Sequence, residues 1–309
     1  MRALCIGKYM KTSLFIDAAN SIGDEVVYDG EYEYILPQPY VSADMLVLPE
    51  CEDFARICLD KKLFNEFCND HSFKVPSETD TFPCVVKPTV GEGSVDVYIA
   101  NHEPTFDHLK QELIEETLIG LNVAVVDGEV IVYHKWVVES TLPDSIYLVN
   151  AIQTSDNIPL SHSTISEVER IIEALHIDNS VLQIELFVDS DDEFICFVEI
   201  NPRIGSVGIE SMAQLYDYDP VVEAVKLYSG RECNFIPYTQ YNKSLCFFAC
   251  RKTEDVIAHG DVTYFHPPTH SYKEPTNADE IYQYCGIVHT IDDTPECAIN
   301  TARAFANDL

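Results

Sequence analysis

The densest chemical signal in the sequence is the run Phe197-Val198-Glu199-Ile200-Asn201-Pro202-Arg203-Ile204-Gly205-Ser206. Glu199 and Asn201 are two residues apart, so on a strand both side chains leave the same face. A carboxylate beside an amide oxygen suits Mg²⁺, a hard cation that takes oxygen ligands and keeps phosphate partners in its shell. Glu185 lies on a preceding strand across an acidic turn and can bring a third oxygen to that face. Arg203 adds a planar fork of N–H donors, a shape that fits a phosphoryl or carboxylate group. The same residues also read as a strand end with solvated polar side chains and a turn over Pro202–Gly205.

A second signal is Val85-Val86-Lys87-Pro88 followed by Gly91-Glu92-Gly93-Ser94. A lysine ending a buried strand can neutralise a polyphosphate while the N–H groups of a glycine-rich loop fold over it. An ordinary hairpin loop fits these residues too. Neither a Walker A sequence nor the dinucleotide fingerprint Gly-x-Gly-x-x-Gly occurs in the chain. A third signal, Glu115-Glu116-Thr117-Leu118-Ile119-Gly120, lies on a strand that could bed a purine on apolar side chains while main-chain groups near Thr117–Leu118 bond its edge. A plain strand with a glycine kink is the alternative. Lys135 reads either as a further phosphate or substrate contact or as an exposed strand lysine.

The elements that would position these residues follow from hydrophobic periodicity. Strand Arg2–Ile6, a helix over Ser13–Ser21, strand Glu25–Tyr28 and an apolar run at Met45–Leu48 alternate in the order of a small parallel sheet. Glu52–Cys68 carries apolar residues at helical spacing, as two helices or one broken one. From Cys84 the pattern becomes antiparallel. Strands are expected at Cys84–Lys87 and Val95–Ala100, a helical stretch near Phe106–Glu112, and a strand around Leu113–Leu118. Asn122–Val126 and Val130–Val137 flank Asp127-Gly128, a strong hairpin signal. An amphipathic helix over Ser166–Leu175 precedes strands Leu182–Val188 and Phe194–Ile200. A helix at Pro220–Tyr228, a strand at Leu245–Ala249 and a closing helix at Thr294–Asn307 complete an α/β chain with mixed sheets.

Composition narrows the function classes. The 309 residues carry 52 Asp plus Glu against 19 Lys plus Arg, a net charge of −33, which disfavours phosphate backbones and anionic lipid surfaces. Neither nucleic acid nor a membrane is therefore an expected partner. With 46% hydrophobic residues the chain can build a core of ordinary depth. No apolar stretch approaches the roughly 18–20 residues of a membrane-spanning helix. The N-terminal apolar run breaks at Gly7-Lys8, too early for a signal peptide. Eleven cysteines, an odd number with no Cys-x-x-Cys pair, point to a reduced, cytoplasmic compartment.

In their order along the chain, the three signals resemble the ATP-grasp superfamily, in particular the small carboxylate–amine ligases related to the carbamoyl-phosphate synthase large subunit. The resemblance rests on Val-Val-Lys-Pro, on Ile-Glu-Glu-Thr-Leu-Ile-Gly and, most specifically, on Glu-Ile-Asn-Pro-Arg. It implies a Rossmann-like N-terminal domain with linking helices over residues 1–74, a lid over 75–117 and a C-terminal catalytic subdomain over 118–309. It implies an enzyme that uses ATP and Mg²⁺, or Mn²⁺ in its place, to join a small carboxylate to an amine through an acyl phosphate, releasing ADP and phosphate. A thiol acceptor, such as a carrier-protein arm, is a variant. Residue by residue, it implies that Lys61 and Lys87 bind phosphates and that Gly91, Gly93 and Ser94 close over them. Glu115 and Leu118 would flank adenine, Glu185, Glu199 and Asn201 would hold the metal, and Arg203 and Lys87 would act on the transferred phosphoryl group. Two positions depart from the family pattern: Asn122 stands where a ribose-contacting Glu is usual, and Asp96 where a Gly follows the loop serine. Those departures favour a catalytically silent ATP-binding regulator; the complete metal face favours turnover.

Overall fold

The computed structural model describes residues 1–5, 12–28, 31–35, 52–90, 97–104, 108–140, 151–155, 157–205, 219–240, 243–250, 262–266 and 286–307. The N-terminal part is a parallel sheet of β1 (Arg2–Leu4), β2 (Glu25–Val27) and β3 (Tyr34–Ile35) in the order β2-β1-β3, with α1 (Thr12–Ser21) between the first two strands. Strand β3 was not legible in the sequence, and the run Met45–Leu48 lies outside the described residues. Phe15, Ala18 and Ala19 of α1 are buried against Val221, Ala224 and Val225 of a later helix, Pro220–Tyr228.

The stretch from Glu52 forms two helices, α2 (Glu52–Leu59) and α3 (Lys61–Asp70). The break falls at Asp60, whose carboxylate accepts from the N–H groups of Lys62 and Leu63 at 2.9 and 3.3 Å and so caps α3. A three-stranded antiparallel sheet follows, β4 (Cys84–Lys87), β5 (Tyr98–Ala100) and β6 (Leu109–Glu112), in the order β5-β4-β6. The helical stretch expected near Phe106–Glu112 is corrected: Leu109–Glu112 is a strand paired along β4. Its inward residues are Leu109 and Gln111, and Gln111 stays buried by donating its side-chain amide to Pro76 O at 3.0 Å. A polar residue at an inward position hid the two-residue period.

Among the described residues the largest sheet has eight strands: β7 (Thr117–Val126), β8 (Glu129–Ser140), β9 (Ala151–Ser155), β10 (Ser180–Val188), β11 (Phe194–Asn201), β12 (Ser244–Cys250), β13 (Val262–His266) and β14 (Gly286–Asp292). Their order is β11-β10-β7-β8-β9-β12-β14-β13. The strand expected from Leu113 begins instead at Thr117, and β9, β13 and β14 were not anticipated. The hairpin of β7 and β8 turns on Asp127 and Gly128, both with positive φ (50° and 80°), as a two-residue turn of that hand demands. Helix α4 (His162–Ala174) precedes β10, α5 (Pro220–Tyr228) follows β11, and α6 (Pro295–Asn307) closes the chain. No helix among the described residues is long and apolar enough to cross a membrane.

The two faces of this sheet differ. Ile119, Leu121, Leu182, Ile184, Leu186, Phe197 and Ile200 share one core with Phe64 and Cys68 of α3 and Val168, Ile171 and Ile172 of α4. Phe197 and Ile200 are three apart, yet both belong to that core. The pairing steps from Glu185↔Glu199 to Leu186↔Phe197, and this bulge at Val198 lets both reach the core while Glu199 and Asn201 keep the opposite face. On that opposite face, Ala124 and Val181 are buried among residues of α1 and α5; nearer β11 the same face turns polar.

Candidate active site

The polar part of the face is organised in two rows across four strands. Glu199, Glu185, Gly120 and Trp136 are successive cross-strand partners in one row; Asn201, Gln183, Asn122 and His134 form the other. Asn201 Nδ2 donates to Glu199 Oε1 at 2.8 Å, and Gln183 Nε2 donates to Glu185 Oε1 at 2.8 Å. Arg203 folds back over β10, donating from Nη1 to Gln183 Oε1 and, at 3.4 Å, to Ile204 O.

Two lysines approach from outside the sheet. The N–H of Lys61, the first residue of α3, donates to Thr89 O at 2.8 Å, and Asp60 pairs with Val90. These contacts tie the capped helix start to the chain just beyond β4, which ends in Lys87. Lys61 Nζ stands 3.9 Å from Glu199 Oε2. Lys87 is only 6% exposed, and burial pushes its pKa down to about 8. Glu199 and Glu185 pull that value back up while Lys61 pushes it down further. Glu185 moves the other way, up to about 8, through burial first and then through the facing Glu199, against Arg203, Lys61 and Lys87.

Lys61, Lys87, Glu185, Glu199, Asn201 and Arg203, all expected from the sequence, are thus brought into one neighbourhood by β4, α3, β10 and β11. Glu185 and Glu199 are direct cross-strand partners on one face, two carboxylates side by side whose repulsion a divalent cation would relieve. Among the described residues no three His, Cys, Asp or Glu side chains converge on a metal position. The protein therefore offers two carboxylates and an amide, and the remaining oxygens would come from phosphate and water. That donor set fits Mg²⁺.

The other expected residues are placed as follows. Glu115 is exposed in the connection between β6 and β7, while Leu118, two residues before Gly120 and opposite Phe187, lies on the same face in the next row and is buried with Phe187 and Cys196. Gly91, Gly93 and Ser94, with Glu92 and Asp96, lie outside the described residues. Asn122, expected at a ribose hydroxyl, is an interior residue in this structure. It is fully buried, its Oδ1 accepts from Gly205 N–H at 2.7 Å, and its Nδ2 lies 3.5 Å from His134 Nδ1. Burial drives His134 down to about 3, so it is neutral and can accept from that amide. Lys135 is corrected. It is 1% exposed, and its Nζ donates to Ile158 O at 3.3 Å and stands 3.7 Å from Asp192 Oδ2. Its register opposite Leu121 sends it to the face away from the site.

Two contributors went unnoticed in the sequence. Gln183 precedes Glu185 by two residues, and alternation alone would have placed it on the same face. Trp136, the only tryptophan, packs so closely that a Cβ on Gly120 would lie 2.2 Å from its indole carbons. Gly120 is thus needed for close approach, and its torsion is not what requires it.

Residues 58–207 match the ATP-grasp domain family. The chain carries an ATP-grasp domain. The matched span contains all six converging residues and begins only three residues before Lys61. Solved structures align over nearly the whole chain. L-amino acid ligase from Bacillus licheniformis aligns with a TM-score of 0.68 at 14% identity, covering 99% of this chain and 96% of that one. N5-carboxyaminoimidazole synthetase from Staphylococcus aureus, complexed with ADP, gives 0.72 at 14%, covering 98% and 96%. Carboxyaminoimidazole ribonucleotide synthase from Aspergillus clavatus, complexed with ATP, gives 0.69 at 12%, covering 97% and 95%. At such identities the likeness is one of fold, and the chain has the ATP-grasp fold from its N-terminal parallel sheet to α6. The tie to the carbamoyl-phosphate synthase large subunit is looser. No curated protein sequence matches the chain.

Proposed function

We propose that this protein is an ATP- and Mg²⁺-dependent ligase that joins a small carboxylate to an amine through an acyl phosphate, releasing ADP and phosphate. The observation that carries the reading is the convergence, inside an ATP-grasp domain, of Glu185, Glu199 and Asn201 with Lys61, Lys87 and Arg203 on one sheet face. An L-amino acid ligase and nucleotide-bound synthetases of the same fold support it.

The residues divide the work. Lys61 and Lys87, on segments tied together by the Lys61–Thr89 contact, neutralise phosphate oxygens. Glu185, Glu199 and Asn201 hold Mg²⁺, or Mn²⁺ on the same oxygens; when bound, the metal offsets the triphosphate charge. Arg203 presents its fork where the γ-phosphoryl group passes to the substrate carboxylate, so its donors meet charge that builds during transfer. The segment 75–117, acting as a lid, keeps water from the acyl phosphate until the amine attacks. A thiol acceptor would use the same geometry.

The test is an ADP-release screen over pooled amino acids, hydroxy acids and amines, with mass spectrometry of the product. ADP plus phosphate is expected; AMP plus pyrophosphate would refute acyl-phosphate chemistry. Tight binding of ATP and Mg²⁺ without ADP release in any pool would make the protein a nucleotide-binding regulator.

A further inference from the structure

We infer that Gln183 is a positioning residue of this site, one amide that fixes the Arg203 guanidinium to the Glu185 carboxylate. Its Oε1 accepts from Arg203 Nη1 and its Nε2 donates to Glu185 Oε1 at 2.8 Å, so the two ends of a single planar group set the spacing between a cation and an anion. The side chain is 5% exposed and sits at the centre of the second polar row, opposite Asn201 on β11 and Asn122 on β7. An amide both accepts and donates. A glutamate here would accept from Arg203 but crowd Glu185 with a third carboxylate, and a lysine would repel Arg203.

The second anchor of the same segment supports this role. Asn122, on the adjacent strand, accepts from Gly205 N–H at 2.7 Å. Arg203-Ile204-Gly205 therefore crosses β10 and β7 with an amide holding each end. Trp136 closes the far end, because a Cβ on Gly205 would lie 2.9 Å from Asn122 Oδ1 and 3.0 Å from the indole Cη2. A long, flexible arginine is thereby ordered before any ligand arrives, which is what a donor aimed at developing charge requires. The inference rests on the ligase reading only for what Arg203 and Glu185 face, not for the clamp itself.

The experiment uses the full chain labelled with ¹³C,¹⁵N-arginine, which gives seven guanidinium groups to resolve. Arg203→Lys assigns the signal. In the wild type the Arg203 Nη–H protons should exchange slowly with solvent. Gln183→Met, of similar length but without polar atoms, should speed that exchange by about tenfold or more, the weight of a hydrogen bond to a charged group. It should also weaken Mg²⁺ binding to the ADP complex by about 10–100-fold, as loss of a partner orienting a metal ligand does. Gln183→Glu retains the acceptor and should keep Arg203 exchange slow, which preserves the test if the Met variant does not fold. A lowered melting temperature with unchanged exchange and unchanged Mg²⁺ affinity would reduce Gln183 to a core residue and overturn the inference, as would fast exchange in the wild type or in Gln183→Glu. If the wild type binds no Mg²⁺ and ADP, the ligase reading fails while the exchange comparison still decides the clamp.

Discussion

Gly120→Ala tests the packing on which the site rests. A Cβ at Gly120 would lie 2.2 Å from Trp136 Cε2 and Cζ2 and 2.6 Å from Nε1. Carbon atoms rest about 3.5 Å or more apart, so the indole would have to move by more than about 1 Å. Its retreat is obstructed, because the adjoining Cη2 of the same ring already lies against Gly205. Overpacking of this kind costs about 1–3 kcal/mol, and a blocked escape puts it near the upper end. Against this, replacing glycine by alanine in a permitted conformation restricts the unfolded chain and returns about 0.4–1 kcal/mol. The clash wins, with a net loss of about 2 kcal/mol. Urea denaturation followed by fluorescence measures it directly, because Trp136 is the single tryptophan and reports on the disturbed spot. The double variant Gly120→Ala/Trp136→Leu, followed by circular dichroism, should lose at least about 1 kcal/mol less than the two single losses summed. A Gly120→Ala protein as stable as the wild type, or additive losses, would refute the close-packed arrangement of β7, β8 and Gly205.

The remaining expectations concern the site. Under the proposed function, Glu199→Gln should leave the fold intact and lower ADP release by about 10²–10³-fold; half of wild-type turnover at saturating Mg²⁺ would exclude Glu199 as a metal ligand. Glu185 is raised from 4.5 to about 8 in the folded protein, so its contribution to stability is complete below about 4.5 and is lost as pH rises through 8. Glu185→Gln should therefore gain stability relative to the ligand-free wild type across that window, and a difference that is flat with pH would count against the crowded carboxylates. Asn122→Ala strands the Gly205 N–H and should cost about 1–3 kcal/mol in stability while ATP affinity stays within a few-fold, measured by calorimetry. Wild-type stability with a large loss of ATP affinity would return Asn122 to the ribose.

Much of the fold was legible because its signals are local. The Asp127-Gly128 turn demands two left-handed torsions, and the β-rich runs on either side need no distant partner to be recognised. Pro220–Tyr228 is a helix in both sequence and structure because Asp219 caps it, accepting from Val221 and Val222 N–H, and Pro220 opens it. The helix expected near Phe106–Glu112 failed because Gln111 occupies an inward strand position, and what makes that tolerable is Pro76, thirty-five residues away. Strand β3 needs only Tyr34 and Ile35 alongside β1, and β9 pairs across about ninety residues with β12, through which β13 and β14 join the large sheet.

For the site, the sequence by itself determined that Glu199 and Asn201 share a face, that Arg203 follows them, and that a lysine ends the strand before a glycine-rich loop. Strand alternation and chain order suffice for each of these. The tertiary structure alone decided which buried polar residues look toward that site. Asn122 and Lys135 are near neighbours of it in sequence pattern, yet one pins Gly205 from inside and the other crosses to the opposite face to meet Ile158 and Asp192. Gln183 gained its place only through the register of β10 against β11 and β7, which put an amide between Arg203 and Glu185. Alternation assigns a side chain to a face. Which face is covered by helices, and what stands opposite across the sheet, depends on pairings between distant segments, and these set the burial and hydrogen-bond partners that give each polar residue its task.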